Sequence, residues 1–202
     1  MEMISSVSHE SFAQPALQWQ LARDLTKMCV EYQEEPFQLR AGGESNWYVD
    51  ARIAIMHNFF GPILASAMYA RMVAHAFDLK GIVGMGIGGT ALARSLSWVS
   101  GLPVTEASNA DADDRYPRGL YGNTDPGTEF TIVDDTLMTG SSIEETAELV
   151  VEHDGRIAQI CTVVDRSDGM AINKLRKAYG VEVWSLFSFE ESAGQLVPFD
   201  LR

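Results

Sequence analysis

The sequence has few residues of several chemically informative kinds. Among its 202 residues are two cysteines and four histidines, and none of them has a spacing typical of a metal site or a redox pair. We expect Cys29 and Cys161 to be buried, reduced thiols of a cytoplasmic protein. No stretch is apolar for long enough to cross a bilayer, and no basic, apolar leader opens the sequence.

Positive charge is also scarce. Lys and Arg number 15 against 28 Asp and Glu, which gives a formal net charge of −13. Electrostatic repulsion therefore argues against nucleic acid or an anionic membrane as a partner. The 202 residues with 46% apolar content fit one globular domain with a proper core.

The chain is organised around the stretch from Phe130 to Val150. It begins as a short apolar strand, continues through Asp134 and Asp135 into a loop of small residues, and ends as an amphipathic helix. Ser142 and Glu145 have the spacing of a capping box at the start of that helix.

This order of residues predicts a site for a phosphorylated sugar. The loop 139–142 precedes a helix N-terminus, where backbone N–H groups and hydroxyls can surround a phosphate. Asp134 and Asp135 stand at the carboxyl end of the strand, where they can accept hydrogen bonds from sugar hydroxyls. The alternative is an ordinary strand–loop–helix unit with two solvated acids.

The stretch resembles the phosphoribosyl-pyrophosphate motif of type I phosphoribosyltransferases: four apolar residues, two aspartates, two more residues and a TTGxS-like loop. The resemblance implies that the acids take the ribose hydroxyls and that the loop takes the 5′-phosphate. Thr136 departs from the usual aliphatic residue, and Met138 from a small hydroxyl residue. The residues expected at the substrate are Asp134, Asp135, Thr136, Leu137, Met138, Thr139, Gly140, Ser141 and Ser142.

Two further segments resemble orotate phosphoribosyltransferases within that family. The segment 37–52 fits an F-x-L-[KR]-S-G-x-x-S-x-x-Y pattern with Ala41 in place of the usual serine, and it implies Arg40 and Tyr48 beside the substrate. Asp165-Arg166 matches the D-R pair whose arginine grips the carboxylate of the base. A planar, two-pronged donor suits a carboxylate, which adenine and guanine lack.

The segment 80–96 predicts a strand, a glycine loop and a helix. Gly84, Gly86 and Gly89 fit the dinucleotide pattern G-x-G-x-x-G, and Glu106 follows at the end of the next strand. A lone pattern of this kind is weak evidence, and some 80 residues precede the unit. We favour the pyrophosphate loop of the transferases, whose backbone N–H groups bind the leaving group. The residues that would line it are Ile87, Gly88 and Gly89.

The segment 107–128 is the largest departure from the orotate enzymes. We expect a mobile loop because it is rich in Gly, Pro, Asp and Asn. The family has a catalytic lysine there, whereas this sequence has no lysine between Lys80 and Lys174. The cations within the loop are Arg115 and Arg118, beside three aspartates. Our catalytic candidates are therefore Arg115, Arg118 and Asp135.

The predicted fold is α/β, a single domain with a central, mostly parallel twisted sheet and helices on both faces. We expect a loose N-terminus over 1–14, a hood formed by a helix over 15–34 and a hairpin up to residue 56, and a core over 80–190. We predict a helix over 57–79, strands over 102–106 and 130–134, a helix over 170–179 and a last strand over 181–189.

The function that the resemblance implies is transfer of ribose 5-phosphate from phosphoribosyl pyrophosphate to orotate. Magnesium would be carried on the pyrophosphate rather than held directly by the protein, and a homodimer is expected. Three alternatives remain open. They are a transferase for another base, a regulatory protein that binds phosphoribosyl pyrophosphate without turnover, and a nucleotide-dependent dehydrogenase.

Overall fold

The structure is a computed structural model and describes residues 14–38, 43–75, 79–111 and 114–199. Its helices are α1 (Pro15–Cys29), α2 (Arg52–Ile55), α3 (Phe60–His75), α4 (Gly86–Ser100), α5 (Ser141–Glu152) and α6 (Met170–Tyr179). Its strands are β1 (Val30–Gln38), β2 (Glu44–Val49), β3 (Gly81–Met85), β4 (Val104–Ser108), β5 (Gly119–Gly122), β6 (Glu129–Leu137), β7 (Arg156–Asp165), β8 (Glu182–Glu190) and β9 (Gln195–Pro198). The predicted loose segment lies outside the described residues except for Gln14.

Seven strands form the central sheet in the order β5-β4-β3-β6-β7-β8-β9. The five inner strands of this order run parallel to one another. The edge strands β5 and β9 each pair antiparallel with their neighbour. The strand β6 lies in the middle of the sheet and runs parallel to its neighbours. The loop that follows it therefore lies at the carboxyl edge of the parallel strands. The predicted α/β fold with a mostly parallel sheet is confirmed.

Helices cover both faces of the sheet. One apolar cluster includes residues of α1, α2, α3 and α4, such as Leu25, Leu64 and Leu92. The other includes residues of α5 and α6, such as Ile143 and Leu175. The alternation of strands and helices in the sequence predicts this layering, since each parallel connection has to cross one face.

The predicted N-terminal helix over 15–34 is wrong in its second part. The helix α1 ends at Cys29, and Val30 starts β1, which pairs antiparallel with β2. Tyr32 lies opposite Trp47 in that pair, with the ring centroids 4.8 Å apart in an edge-to-face arrangement. This cross-strand contact favours the extended conformation over one more helical turn. The predicted hairpin is present, and residues 39–42 at its turn lie outside the described residues.

Three other predicted boundaries differ from the structure. The helix expected over 57–79 is α3, which begins at Phe60 after a turn that follows the short helix α2, and ends at His75. Gly61 permits the tight turn, because a Cβ there would lie 2.3 Å from the Ile55 carbonyl oxygen. The strand expected over 102–106 is β4, two residues later. The strand expected to be the last is β8, and the edge strand β9 follows it.

The segment 107–128 contains a strand that the sequence analysis missed. β5 pairs antiparallel with β4, from Thr105 opposite Gly122 to Ser108 opposite Gly119. The prediction that the segment is mobile is not tested by these contacts and stays a prediction.

Both cysteines are buried and unpaired, as predicted. Burial raises the pKa of the Cys29 thiol to about 11 and raises that of Cys161 further. Across the described ranges, none of the helices combines the length and apolar character needed to cross a membrane.

Candidate active site

A cavity of about 730 Å³ opens at the carboxyl edge of the sheet, beside the ends of β3, β6 and β7. It brings together segments that are distant in sequence: the hairpin, the glycine loop, the two aspartates with the loop after them, and the end of β7. The lining residues are Gln38, Tyr48, Val49, Asp50, Arg52, Met85, Gly86, Ile87, Gly88, Asp134, Asp135, Thr136, Leu137, Met138, Thr139, Gly140, Ser141, Ser142, Ile143 and Arg166.

Asp134 is held rigidly at the floor of the cavity. Its carboxylate accepts hydrogen bonds from Ser142 Oγ at 2.5 Å and from the Asp135 N–H at 2.9 Å. Burial, together with the charge of Asp135, raises the pKa of Asp134 to about 8. The pair therefore presents one fixed carboxyl group and one neighbouring carboxylate at the place predicted for the ribose hydroxyls.

Glycines of the strand–helix turn allow Asp135 to lie against the backbone of that turn. A Cβ added at Gly88 would lie 2.3 Å from the carboxyl carbon of Asp135. One added at Gly84 would lie 2.2 Å from the Gly89 carbonyl oxygen. The first glycine therefore makes room for an acidic side chain, and the second permits close packing of β3 against α4.

The loop between β6 and α5 leaves backbone donors directed into the cavity. Gly140 takes a positive φ of 83° at the start of α5, a conformation that glycine adopts without strain. The N-cap residue is Gly140 rather than Ser142, so the predicted capping box is wrong, and the Ser141 N–H donates to Thr139 Oγ at 3.4 Å. The hydroxyl of Ser142 donates to Asp134, and Glu145 accepts a hydrogen bond from Asn109 Nδ2 at 2.5 Å. The helix N-terminus is suited to an anion.

Arg166 reaches the cavity from the end of β7, as its position after the strand predicts. Its Nη2 donates to the Trp47 carbonyl oxygen at 3.0 Å and lies 3.5 Å from Ser45 Oγ, so it joins the sheet to the hairpin. Its guanidinium carbon lies 5.2 Å from the Phe189 ring centroid, and burial lowers its pKa. Arg166 also lines a second cavity of about 510 Å³ with Phe189 and Glu191.

Several known proteins are related to this chain in sequence or in fold. No protein-family model matches it. The orotate phosphoribosyltransferase of Methanocorpusculum labreanum is 29% identical over 155 residues, which cover 77% of this chain and 87% of the relative. The crystal structure of a phosphoribosyltransferase from Corynebacterium diphtheriae has a TM-score of 0.71 at 21% identity and covers 88% of this chain and 99% of that one.

A solved complex with a ligand is also similar to this chain in fold. Mycobacterium tuberculosis orotate phosphoribosyltransferase, solved with 5-phospho-α-D-ribosyl 1-diphosphate, has a TM-score of 0.67 at 20% identity. It covers 89% of this chain and 93% of that chain. The chain is thus similar in sequence and in fold to phosphoribosyltransferases.

Two of the three catalytic candidates lie away from the cavity. Arg118 Nη1 donates to Glu152 Oε2 at 2.5 Å and Nη2 donates to Oε1 at 2.9 Å, so its guanidinium is engaged by α5. The guanidinium carbon of Arg115 lies 5.8 Å from the Tyr116 ring centroid. Neither lines the cavity, and their catalytic function stays a prediction. The third candidate, Asp135, does line it.

Two further predictions concern Arg40 and magnesium. Arg40 falls among residues 39–42, outside the described residues. Within the described residues, no three His, Cys, Asp or Glu side chains form a group that could hold a metal ion. Magnesium carried on the pyrophosphate stays a prediction, and the carboxylate oxygens of Asp134 and Asp135 are the donor type that Mg²⁺ prefers.

Sequence patterns did not point to three polar residues of the cavity: Gln38, Asp50 and Arg52. Arg52 Nε donates to Asp50 Oδ1 at 2.7 Å and Nη2 donates to Oδ2 at 2.6 Å. The segment from Tyr48 to Arg52 follows an apolar strand and reads Y-V-D-A-R. That cluster of an acid and a base after β2 was the available signal.

The dinucleotide interpretation has a structural explanation in this fold. Glu106, the acid expected to bind a ribose, accepts a hydrogen bond from Arg94 Nε at 2.9 Å. Gly88 and Gly89 instead give room to the side chains of Asp135 and Asp134. Within the glycine pattern, Gly84 and Gly89 thus serve close packing of the strand–helix turn, and Gly86 takes a positive φ of 67°.

Proposed function

We propose that this protein is an orotate phosphoribosyltransferase, which transfers ribose 5-phosphate from phosphoribosyl pyrophosphate to orotate. The observation that carries the proposal is a single cavity that combines two aspartates, a helix N-terminus and a buried arginine. The similarity to the M. labreanum enzyme supports the same activity. The products would be orotidine 5′-phosphate and pyrophosphate.

The three parts of the cavity match three parts of the substrates. The loop 139–142 with the N-terminus of α5 would hold the 5′-phosphate through backbone N–H groups and hydroxyls. Asp134 and Asp135 would accept hydrogen bonds from the ribose hydroxyls. Arg166 would pair with the orotate carboxylate, since its side chain lines the cavity and Nη2 is held by the hairpin.

The proposed reaction depends mainly on the positioning of the substrates and on the stabilisation of charge. The bond from C1′ to the pyrophosphate oxygen breaks while a ring nitrogen of orotate bonds to C1′, which acquires oxocarbenium character between the two. Residues on both sides of the ribose fix C1′ in line with the incoming base. The charge that develops on the departing pyrophosphate needs oriented donors, which the glycine loop 86–89 supplies through its backbone. When bound, magnesium would supply further positive charge on the pyrophosphate.

We extend the proposal to the assembly and the setting of the protein. The family resemblance supports a homodimer whose loop 107–128 approaches the neighbouring site, with Arg115 as the cation that faces it. A cytoplasmic location accords with two free thiols and with a biosynthetic activity on small, charged substrates.

The first experiment is calorimetric titration with phosphoribosyl pyrophosphate and magnesium, followed by a spectrophotometric assay of orotate consumption. We expect binding with turnover in the wild type. Arg166→Gln should reduce orotate turnover by about 10- to 100-fold, the value of a hydrogen bond to a charged group. Arg156→Gln is the control, because Arg156 lies at the opposite end of β7 and pairs with Glu129 at 3.2 Å. Absence of binding would refute the proposal.

A transferase for another base is the second candidate, and Met138 favours it. This half-buried thioether lines the cavity at the turn where the resemblance predicts a small hydroxyl residue. Thr136 adds a buried hydroxyl without a hydrogen-bond partner among the described residues. Phosphoribosyl pyrophosphate binding with turnover of a different base would select this candidate. Binding without any turnover would select a regulatory protein.

A further inference from the structure

We propose that Arg52 binds the pyrophosphate group of phosphoribosyl pyrophosphate and that Asp50 orients it for this contact. The inference rests on the proposed function and adds a residue to it. The cavity needs such a cation because the Asp135 carboxylate already contributes negative charge beside the pyrophosphate position. The protein as a whole carries a formal charge of −13 and would otherwise repel this anion.

Arg166 and Arg118 are engaged away from the pyrophosphate position. Arg52 and Arg166 are the two arginines among the lining residues of the described cavity. Arg166 is bound to the hairpin and borders Phe189, which places it on the side expected for the base. Arg118 is paired with α5, and no lysine occurs between Lys80 and Lys174.

Lys174 approaches the opposite end of the site. Its Nζ donates to Glu144 Oε2 at 2.8 Å and lies 3.4 Å from the Thr139 carbonyl oxygen, against the loop expected to bind the 5′-phosphate. The pyrophosphate, attached at C1′ on the other side of the ribose, is therefore left to Arg52.

Arg52 is preorganised. Asp50 accepts two hydrogen bonds from Nε and Nη2, and Nη2 also lies 3.3 Å from the Tyr48 hydroxyl. Within the described part of the chain these contacts leave Nη1 for phosphate oxygens. The fixed, planar guanidinium loses little side-chain entropy when it binds an anion. Asp50 and Tyr48 thus hold the arginine in place before its ligand arrives.

The surroundings of Arg52 place it next to the glycine loop. The short helix α2, which Arg52 begins, packs against α4, whose first residues form that loop. The hydrogen bond to Asp50 is the main cause of a raised pKa of Arg52, and the charge of Asp135 adds to it, so Arg52 and Asp135 are electrostatic neighbours. The Asp135 carboxyl group in turn lies directly over Gly88. Arg52, Asp135 and the glycine loop thus form one continuous wall.

The test compares two ligands that differ in the pyrophosphate alone. Calorimetry with magnesium should show that Arg52→Gln weakens phosphoribosyl pyrophosphate binding by about 10- to 100-fold. Binding of ribose 5-phosphate should stay within about twofold, because that ligand lacks the group that Arg52 contacts. Arg94→Gln is the matched control: Arg94 is also paired with one acid, Glu106, but does not line the cavity.

Each outcome has a defined meaning. A wild type that binds neither ligand refutes the proposed function, and the inference falls with it. If the wild type binds and Arg52→Gln leaves phosphoribosyl pyrophosphate affinity unchanged, or weakens both ligands equally, the inference alone is refuted. Should Arg52→Gln fail to fold, Arg52→Lys provides the test. A lysine keeps the charge but lacks the fork that Asp50 holds, so we expect a smaller loss that is again specific to phosphoribosyl pyrophosphate.

Discussion

At the scale of single residues, Asp134 shows how a binding site can oppose folding. Its carboxyl group is buried beside Asp135, an arrangement that disfavours the charged form in the ligand-free protein. Ser142 and the Asp135 N–H stabilise the carboxylate in part. Ribose hydroxyls would add the donors that the buried carboxylate lacks. The site is therefore built for a ligand rather than for the stability of the empty protein.

The raised pKa of Asp134 predicts how stability depends on pH. Between its ordinary pKa of 3.8 and its folded value of about 8, the native state retains a proton that the unfolded chain has released. The contribution of Asp134 to the free energy of unfolding is therefore complete below the ordinary pKa and is lost as pH rises through about 8. Asp134→Asn removes this loss. We expect the free energy of unfolding of the variant at pH 8 to exceed that of the wild type by at least about 1.4 kcal/mol, the equivalent of one pKa unit.

Urea unfolding of both ligand-free proteins at pH 5 and pH 8 measures this difference, and the same variant should bind phosphoribosyl pyrophosphate more weakly. Asp154→Asn is the control, because Asp154 is exposed and has a positive φ of 57° that asparagine also tolerates. A wild type and an Asp134→Asn variant with equal pH dependence would contradict the assignment.

At the scale of secondary-structure elements, α5 performs two separate tasks. Its N-terminus faces the cavity, while its last turn holds β5 through Arg118, Glu148 and Glu152. The acidic residues of this face thereby fix the segment that enters β5. The same contacts explain why Arg118 does not reach the cavity of its own chain.

The Arg118 contacts predict a structural rather than a catalytic effect of substitution. Arg118→Ala should retain orotate turnover, since the guanidinium is already engaged by Glu152. We expect a small decrease in the melting temperature at low salt that disappears at high salt, because the ion pairs are exposed and screened. Turnover assays and thermal melts in both buffers measure the two effects.

Arg115→Ala is the matched variant from the same segment, and its side chain is bordered by Tyr116 instead of an acid. A large loss of turnover in Arg118→Ala with unchanged melting behaviour would contradict the structural interpretation. It would mean that Arg118 leaves Glu152 during the reaction.

At the scale of the whole molecule, the excess of negative charge affects both stability and binding. The formal net charge of −13 is spread over 202 residues, and self-repulsion of this kind destabilises a compact state. Both proposed substrates are anions, so the cavity would have to overcome the same field with local donors. Preorganised groups such as Arg166 and the helix N-terminus provide these donors at short range.

We therefore expect the protein to become more stable with added salt. Raising NaCl from about 0.1 M to about 1 M shortens the Debye length from ~10 Å to ~3 Å, which screens repulsion between exposed carboxylates. The melting temperature should rise over this range, and thermal melts followed by circular dichroism measure it. KCl at the same ionic strength is the control and should give the same rise. A melting temperature that falls with salt would mean that attractive ion pairs dominate.

The sequence by itself determined the class of fold and the centre of the site. Regular alternation of apolar strands and amphipathic helices specifies a parallel sheet, because each crossover has to cover one face. Asp134 and Asp135 lie near the carboxyl end of β6, and the loop 139–142 follows that strand, so local sequence places them together. Arg166 was predictable for the same reason, since β7 lies next to β6.

Tertiary structure decided which polar groups are engaged and which face the cavity. Ser142 has the local pattern of a helix cap, yet it donates to Asp134, a contact that exists only once the strand and helix pack together. Arg118 and Arg52 are both arginines in acidic surroundings. The position of β5 beside α5 directs Arg118 to Glu152, whereas the hairpin directs Arg52 into the cavity. Such pairings depend on distances between segments far apart in the chain, and local sequence patterns do not contain them.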